Sequence, residues 1–375
     1  MKPIKITCVV GTRPEAIKMA PVIKTLSNDA AFETFVLASG QHADMLTQAL
    51  DDFGLNADIN LNIMQNAQTL EHITSAVIEG VGNFLGEHEQ DMLLVHGDTT
   101  TTLGAALAAF YRHTPIGHVE AGLRSRDLAS PFPEEANRVL TDKLASLLFA
   151  PTEQAALNLA GEGCDAARVF VTGNTVIDAL FWILRAISER ETTPDFLRLV
   201  PPGAPLVLFT AHRRESWGRR LKNICTAVSR VLDAHRELYA LVPLHKNPVV
   251  RDTIMTELGK NDRVIFSEPL SYRDFVAAMN RSLFLLSDSG GVQEEASALK
   301  RPVLILREVS ERPEAISHGT GVLVGTNADK IEKESLRLLE DKKYLASFAE
   351  KTSPFGDGRA GERICDIIKA YFAGK

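Results

Sequence analysis

Cysteine is sparse in this chain and never paired. Of its 375 residues 4 are cysteine, Cys8, Cys164, Cys225 and Cys365, scattered and without a CxxC motif. That excludes a disulfide framework and a zinc ribbon, and predicts reduced, buried thiols in a cytoplasmic protein. Positive charge is also short. A net charge of −7 argues against nucleic acid or an anionic membrane as partner, which would need a basic face, while small anions need only local basic clusters. No stretch approaches the roughly 18 consecutive apolar residues of a membrane span. The apolar run at 4–10 is followed by no small-residue cleavage site, so it does not read as a signal peptide. Neither GxGxxG nor the phosphate-loop pattern GxxxxGK(S/T) occurs, which argues against a nicotinamide cofactor and against ATP hydrolysis. There is no repeat at a solenoid period.

What is present is a long alternation of short apolar runs with amphipathic stretches. Apolar runs at 4–10, 34–38, 92–95, 116–119, 147–150 and 169–171 read as strands, and the second half repeats the scheme at 206–209, 238–242, 264–266, 283–286, 303–306 and 322–324. Between them lie helical spacings, as in Ala16, Met19, Ala20 and Ile23. Buried strands separated by helices predict an α/β fold with parallel sheets covered on both faces. At 375 residues the chain exceeds one comfortable core, so two Rossmann-like domains are expected. The proline-rich stretch 192–205 is linker-like, and a second break falls at 353–361 before a closing helix at 362–372. We place the first domain at 1–173, completed by 355–375, and the second at 174–354. In open α/β sheets ligands lie beyond the carboxyl ends of the strands, so the strand-to-helix turns carry the functional weight.

Those turns are rich in polar residues. After the first strand comes GTRPEAIK, with Arg13 and Lys18 at a helix start. Cations beside the positive end of a helix are unfavourable unless an anion binds there. The run HGDTTTT puts Asp98 just past the strand at 92–95, as a helix cap or as a working carboxylate. Glu120 follows the strand at 116–119, and PFPEEANR carries Glu134 and Glu135 at the next helix start. Asp98, Glu120 and Glu134, three carboxylates at one sheet edge with no histidine at metal-ligand spacing, favour acid–base chemistry over a metal. In the second half TAHRRES supplies His212, Arg213 and Arg214, and PLHKNP supplies His245. SDSGGVQEE opens a helix with Ser289, Gly290 and Gly291, whose backbone N–H groups suit a diphosphate, while Glu294 and Glu295 could accept from ribose hydroxyls. Arg312, in SERPEA, suits a bidentate phosphate contact.

Taken in order, GTRPEAIKMAP, LNIM, LVHGDTTTT, GHVEAGLR, PEEANR, TGNTVIDAL, AHRRES, DSGGVQEEA and ERPEA resemble the bacterial non-hydrolysing UDP-N-acetylglucosamine 2-epimerases over nearly the whole chain. The resemblance implies two Rossmann-like domains of the glycosyltransferase-B type, with the active site in the interdomain cleft and the C-terminal helix crossing back onto the first domain. It implies a homodimer that interconverts UDP-GlcNAc and UDP-ManNAc for surface-polysaccharide synthesis, without cofactor or metal. Substrate contacts carry over to Arg13, Lys18, Asp98, Glu120, His212, Leu270, Phe275, Ser289, Gly290, Gly291, Glu295 and Arg312, with Leu270 and Phe275 at the uracil. Asp98, Glu120 and Glu134 are expected to form the acid–base set, with His212 assisting the departing phosphate.

Three rivals share parts of this pattern. A glycosyltransferase would use a similar diphosphate site but needs an acceptor pocket rather than a carboxylate cluster. The hydrolysing relatives depart from RPEAIK, and those acting on diacetamido-uronic acids differ after the RP pair. The resemblance also implies activation by a second UDP-GlcNAc, at a site whose polar positions Gln41, Glu134, Arg213 and His245 are kept. Ala43, Asp44 and Ala67 stand where polar or basic side chains are common, so weaker activation is expected.

Overall fold

The computed structural model describes residues 2–40, 43–63, 68–190 and 194–374, with backbone only at 43–45 and 190. Element order is β1 (Ile4–Val10), α1 (Arg13–Ser27), β2 (Phe32–Ala38), α2 (Ala43–Asp51), β3 (Ile59–Asn60), α3 (Leu70–Glu87), β4 (Met92–His96), α4 (Thr100–Tyr111), β5 (Ile116–Val119), α5 (Glu134–Leu144), β6 (Leu147–Ala150), α6 (Glu153–Gly161), β7 (Val169–Val171) and α7 (Thr175–Arg190). There follow β8 (Leu206–Thr210), α8 (Arg219–Ala234), β9 (Tyr239–Pro243), α9 (Pro248–Leu258), β10 (Val264–Ser267), α10 (Tyr272–Arg281), β11 (Phe284–Ser287), α11 (Gly290–Ala298) and β12 (Val303–Ile305). The order closes with α12 (Pro313–Ser317), β13 (Gly321–Leu323), α13 (Ala328–Glu340), α14 (Lys342–Ser347) and α15 (Ala360–Ala373).

Two compact units result, Met1–Trp182 with Gly356–Lys375, and Ile183–Phe355. The first holds a seven-stranded parallel sheet in the order β3-β2-β1-β4-β5-β6-β7, and the second a six-stranded parallel sheet in the order β10-β9-β8-β11-β12-β13. In each, chain order reverses once beside the first strand, giving a switch point between β1 and β4 and another between β8 and β11. The strands are apolar almost throughout because both faces are covered. Val9, Leu93, Val95 and Leu148 pack beneath α3 and α4 in the first unit, and Phe209, Val242, Leu286 and Leu304 pack with α8 in the second.

The division between the units falls inside α7 rather than at its start, because the first half of that helix is tied to the closing segment. Asp178 accepts the backbone N–H groups of Ala360 and Gly361 at 3.1 and 2.8 Å, holding the N-terminus of α15. A side chain at Gly361 would meet Thr25 Oγ1 at 3.1 Å and Pro21 O at 3.2 Å, so α15 packs closely on α1. The strand β3 is missed by the sequence: two residues give no periodicity, and only pairing with Leu37 and Ala38 makes them a strand. All four cysteines are buried and in no disulfide.

Candidate active site

The first unit builds its polar centre from the turns after β1, β4 and β5. At the end of β1, a Cβ on Gly11 would lie 2.4 Å from Thr101 Oγ1, so only glycine lets this turn pass the start of α4. Glu15, one turn into α1, is 2% exposed and binds both turns. Its Oε2 accepts from the N–H groups of Gly11 and Thr12 at 3.1 and 2.7 Å, and its Oε1 from Thr99 Oγ1 at 2.7 Å. Burial raises its pKa in spite of these donors. One carboxylate thus fixes the turn that carries Arg13 and Lys18 against the turn that carries Asp98.

Asp98 is not the cap of α4. That role falls to Thr99, whose hydroxyl accepts from Thr102 N at 3.1 Å, and the Asp98 carboxylate turns instead to the Arg138 guanidinium. Asn137 Nδ2 donates to Asp98 O at 2.9 Å. Glu120 sits just past β5 in the left-handed region, at φ 68°, a costly conformation for a residue with a Cβ and one that concentrates at functional sites. Its carboxylate pairs with the Lys18 ammonium and accepts from Asn174 Nδ2 at 3.1 Å. His96 Nε2 lies 3.8 Å away. Burial pushes the pKa of that imidazole down to about 3, so it is uncharged at neutral pH.

The adjacent glutamates of α5 part company. Glu135 is buried and satisfied, accepting from Arg138 Nη1 at 2.8 Å and Arg126 N at 2.9 Å. Glu134 Oε2 is buried with no hydrogen-bond partner among the described residues, which suits a carboxylate awaiting a substrate proton. Further down, His118 and Asp142 brace the loops from beneath. His118 Nδ1 meets Asp142 Oδ1 at 2.6 Å and its Nε2 meets Gly97 O at 2.8 Å, while Asp142 Oδ2 accepts from Gly122 N at 3.3 Å.

The second unit gathers basic side chains and a helix start. His212 and Arg213 follow β8; Ser289, Gly290 and Gly291 open α11 after β11, with Ser289 as N-cap making no side-chain cap bond. Ser289 N donates to Ser287 Oγ at 3.1 Å, and the N–H groups of the first turn of α11 that follow are of the kind that can cradle an anion. Arg312 flanks it: a Cβ on Gly290 would be 3.8 Å from Arg312 Cζ, and the guanidinium pairs with buried Glu294. Glu295 Oε1 accepts from Tyr272 Oη at 2.8 Å. Leu270 and Phe275, around the start of α10, are half-buried. Among the described residues no group of three or more histidine, cysteine, aspartate or glutamate side chains could hold a metal.

Known proteins match this chain over nearly its whole length. The family model for UDP-N-acetylglucosamine 2-epimerase matches residues 24–369. The UDP-N-acetylglucosamine 2-epimerase of Escherichia coli K12 is 45% identical over 370 residues, covering 98% of each chain. The chain belongs to the UDP-N-acetylglucosamine 2-epimerase family. Among solved structures, the UDP-GlcNAc 2-epimerase of Neisseria meningitidis bound to UDP-GlcNAc superposes with a TM-score of 0.91 at 42% identity, covering 98% of this chain and 100% of that one. The S. aureus MnaA–UDP co-structure gives a TM-score of 0.89 at 44% identity, covering 100% of this chain and 97% of that one. The fold is thus the glycosyltransferase-B-like pair of parallel-sheet domains, and the protein is an epimerase.

Several residues of this epimerase that hold the site carry no role in the sequence reading: His96, Asn137, Arg138, Asn174 and Asp288. Each lies within a motif quoted above, so position was the available signal; the partner each one contacts is not. Of the residues expected to bind a second nucleotide sugar, Arg213 Nη2 lies 3.7 Å from Glu311 Oε2, and His245 stacks on His212 with centroids 5.8 Å apart. Gln41 and Ala67 lie outside the described residues, as do the side chains of Ala43 and Asp44. No described helix is long and apolar enough to cross a membrane.

Proposed function

We propose that this chain interconverts UDP-GlcNAc and UDP-ManNAc by elimination and readdition of UDP. The observation that carries the proposal is Glu120, a buried carboxylate in a strained backbone conformation, paired with Lys18 beside a switch point that also holds Asp98. Simple deprotonation at C2 is implausible, because the ring-closed sugar has no carbonyl to acidify that proton. If the C1–O bond breaks first, electrons leave on the β-phosphate oxygen and the oxocarbenium-like centre makes the C2 proton removable. In α-linked UDP-GlcNAc the C2 hydrogen is axial and anti to the leaving group. A carboxylate takes that proton, C1=C2 forms, and the products are 2-acetamidoglucal and UDP. Readdition of the UDP oxygen to C1, with a proton delivered to the opposite face of C2, gives UDP-ManNAc.

Asp98, Glu120 and Glu134 are the acid–base set of this scheme. The α11 cradle, Arg13, His212 and Arg312 stabilise the charge that develops on the departing diphosphate. Leu270 and Phe275 serve the uracil, and Glu295 the ribose. The enzyme acts as a cytoplasmic homodimer and supplies N-acetylmannosamine units for surface polysaccharide. Incubation with UDP-GlcNAc in D2O, without added NAD or metal, should give UDP-ManNAc carrying deuterium at C2. Product that keeps its original hydrogen, or free ManNAc as the main product, would overturn the scheme.

A further inference from the structure

The carboxylate of Asp288 has no part in the scheme above, yet it is fully buried at 0% exposure. It follows β11 directly and reaches across the second switch point to the turn after β8. Its Oδ2 accepts from the backbone N–H groups of His212 and Arg213, each at 2.9 Å. Its Oδ1 lies 3.1 Å from His212 Nδ1, within hydrogen-bond distance but not aligned as a hydrogen bond. Such contacts commonly tighten only when the ligand binds. Burial alone would raise the Asp288 pKa, but His212 and the two N–H groups hold it below the ordinary range. It is therefore an acceptor only. Trp217 Nε1 donates to His212 O at 3.4 Å, and the His245 ring lies at 17° to that of His212. His212 is thus held from several sides, while 38% of its side chain stays exposed.

We propose that Asp288 is the positioning residue for His212: its carboxylate fixes the Nδ1–H tautomer of the neutral ring and the ring orientation. A second proton is then carried at Nε2, and the departing diphosphate meets Nε2–H of the protonated ring. The catalytic consequence rests on the role given to His212 above; the tautomer does not. Asp288→Asn tests both. The two backbone N–H groups demand an oxygen, so the amide must turn its NH2 to His212 Nδ1. The ring then places its lone pair at Nδ1 and its proton at Nε2. It cannot take a second proton at Nδ1 without setting N–H against NH2, so the protonated ring that meets the diphosphate is disfavoured.

Long-range 1H–15N spectra of histidine-labelled protein at alkaline pH, with His212 assigned by its loss in His212→Asn, should show the neutral ring protonated at Nδ1 in the parent and at Nε2 in Asp288→Asn. Turnover should fall roughly 10²–10⁴-fold with KM little changed. In a His212→Asn background, Asp288→Asn should cost almost nothing further, as expected of residues acting as one unit. A parent His212 protonated at Nε2 would overturn the proposal whether or not the variant folds. An equal loss in the His212→Asn background would overturn it too, since Asp288 would then act through the diphosphate cradle. If His212→Asn alone keeps full turnover, the role of His212 in the proposed function fails, and the spectra still decide the tautomer.

Discussion

The two units share an architecture and differ in what they set at the same place within it. Each is a parallel sheet with one reversal of strand order, between β1 and β4 in the first and between β8 and β11 in the second. At the first reversal the side chains are carboxylates that need partners to stay aimed: Lys18 and Asn174 for Glu120, Arg138 for Asp98. At the second, the first turn of α11 is left open by Gly290 and Gly291 and is flanked by Arg312 and His212. The scaffold is indifferent to the chemistry, which is decided by a few residues at the strand ends. In the proposed function, proton transfer belongs to the first unit, and recognition of the leaving group chiefly to the second, with Arg13 as the first unit's share.

The sharpest way to break that division is through the carboxylates. Asp98→Asn, Glu120→Gln and Glu134→Gln should each lower turnover by at least about 100-fold, the scale of a lost acid–base group. UDP affinity by calorimetry should barely change. A parallel loss of UDP binding would show that these carboxylates serve nucleotide binding rather than proton transfer alone. The reverse experiment is Arg312→Ala, which should weaken UDP by more than tenfold, since one charge-assisted contact contributes about 1.5–3 kcal/mol. A thermal melt is the control, because the substitution also leaves the buried carboxylate of Glu294 without its cation.

Regulation gives a smaller effect. Ala43, Asp44 and Ala67 stand where, by the family resemblance, polar or basic side chains are common, so UDP-ManNAc conversion should respond only weakly to added UDP-GlcNAc. A strict lag that traces of UDP-GlcNAc abolish would refute this.

The smallest effect is one of stability, in the first unit. Burial, reinforced by Asp357, raises Asp178 from 3.8 to about 6, against the pull of the Gly361 and Ala360 N–H groups. The folded state therefore binds this proton more tightly than the unfolded chain does. The stabilisation is present at low pH and is lost as pH rises through about 6. Asp178→Asn removes the dependence, so the variant should gain on the parent by on the order of 1–2 kcal/mol between pH 4 and pH 8. Urea titrations at both pH values would measure it. A parent advantage that grows with pH would show the ionised carboxylate to be the better partner for α15.

Most of the fold is legible in the sequence because buried parallel strands announce themselves as apolar runs of four to seven residues. Boundaries shift by a residue or two, as at β2 and β9, where ladder pairing rather than composition sets the ends. The site is legible as positions and not as contacts. HGDTTTT shows that Asp98 follows a strand, but only the fold shows that Thr99 takes the cap and leaves the aspartate to Arg138. PEEANR offers two neighbouring glutamates of equal standing. Helix geometry aims Glu135 inward at Arg138 and Arg126, and leaves an oxygen of Glu134 unpartnered. Likewise nothing in SDSGG reveals that its aspartate reaches a histidine 76 residues earlier. Local pattern carries the element; long-range partners appear only when the sheet brings strand ends together.

Because α15 packs on α1 and is anchored by Asp178, the second unit is an insertion within the first. That has a consequence for synthesis. A ribosome releases residues 183–355 as one uninterrupted segment, free to fold as soon as it emerges, whereas the unit begun first must wait for its last helix. Vectorial folding, in which N-terminal units finish first, is inverted here: the later-made module can mature while the earlier one still exposes the face that α15 will cover.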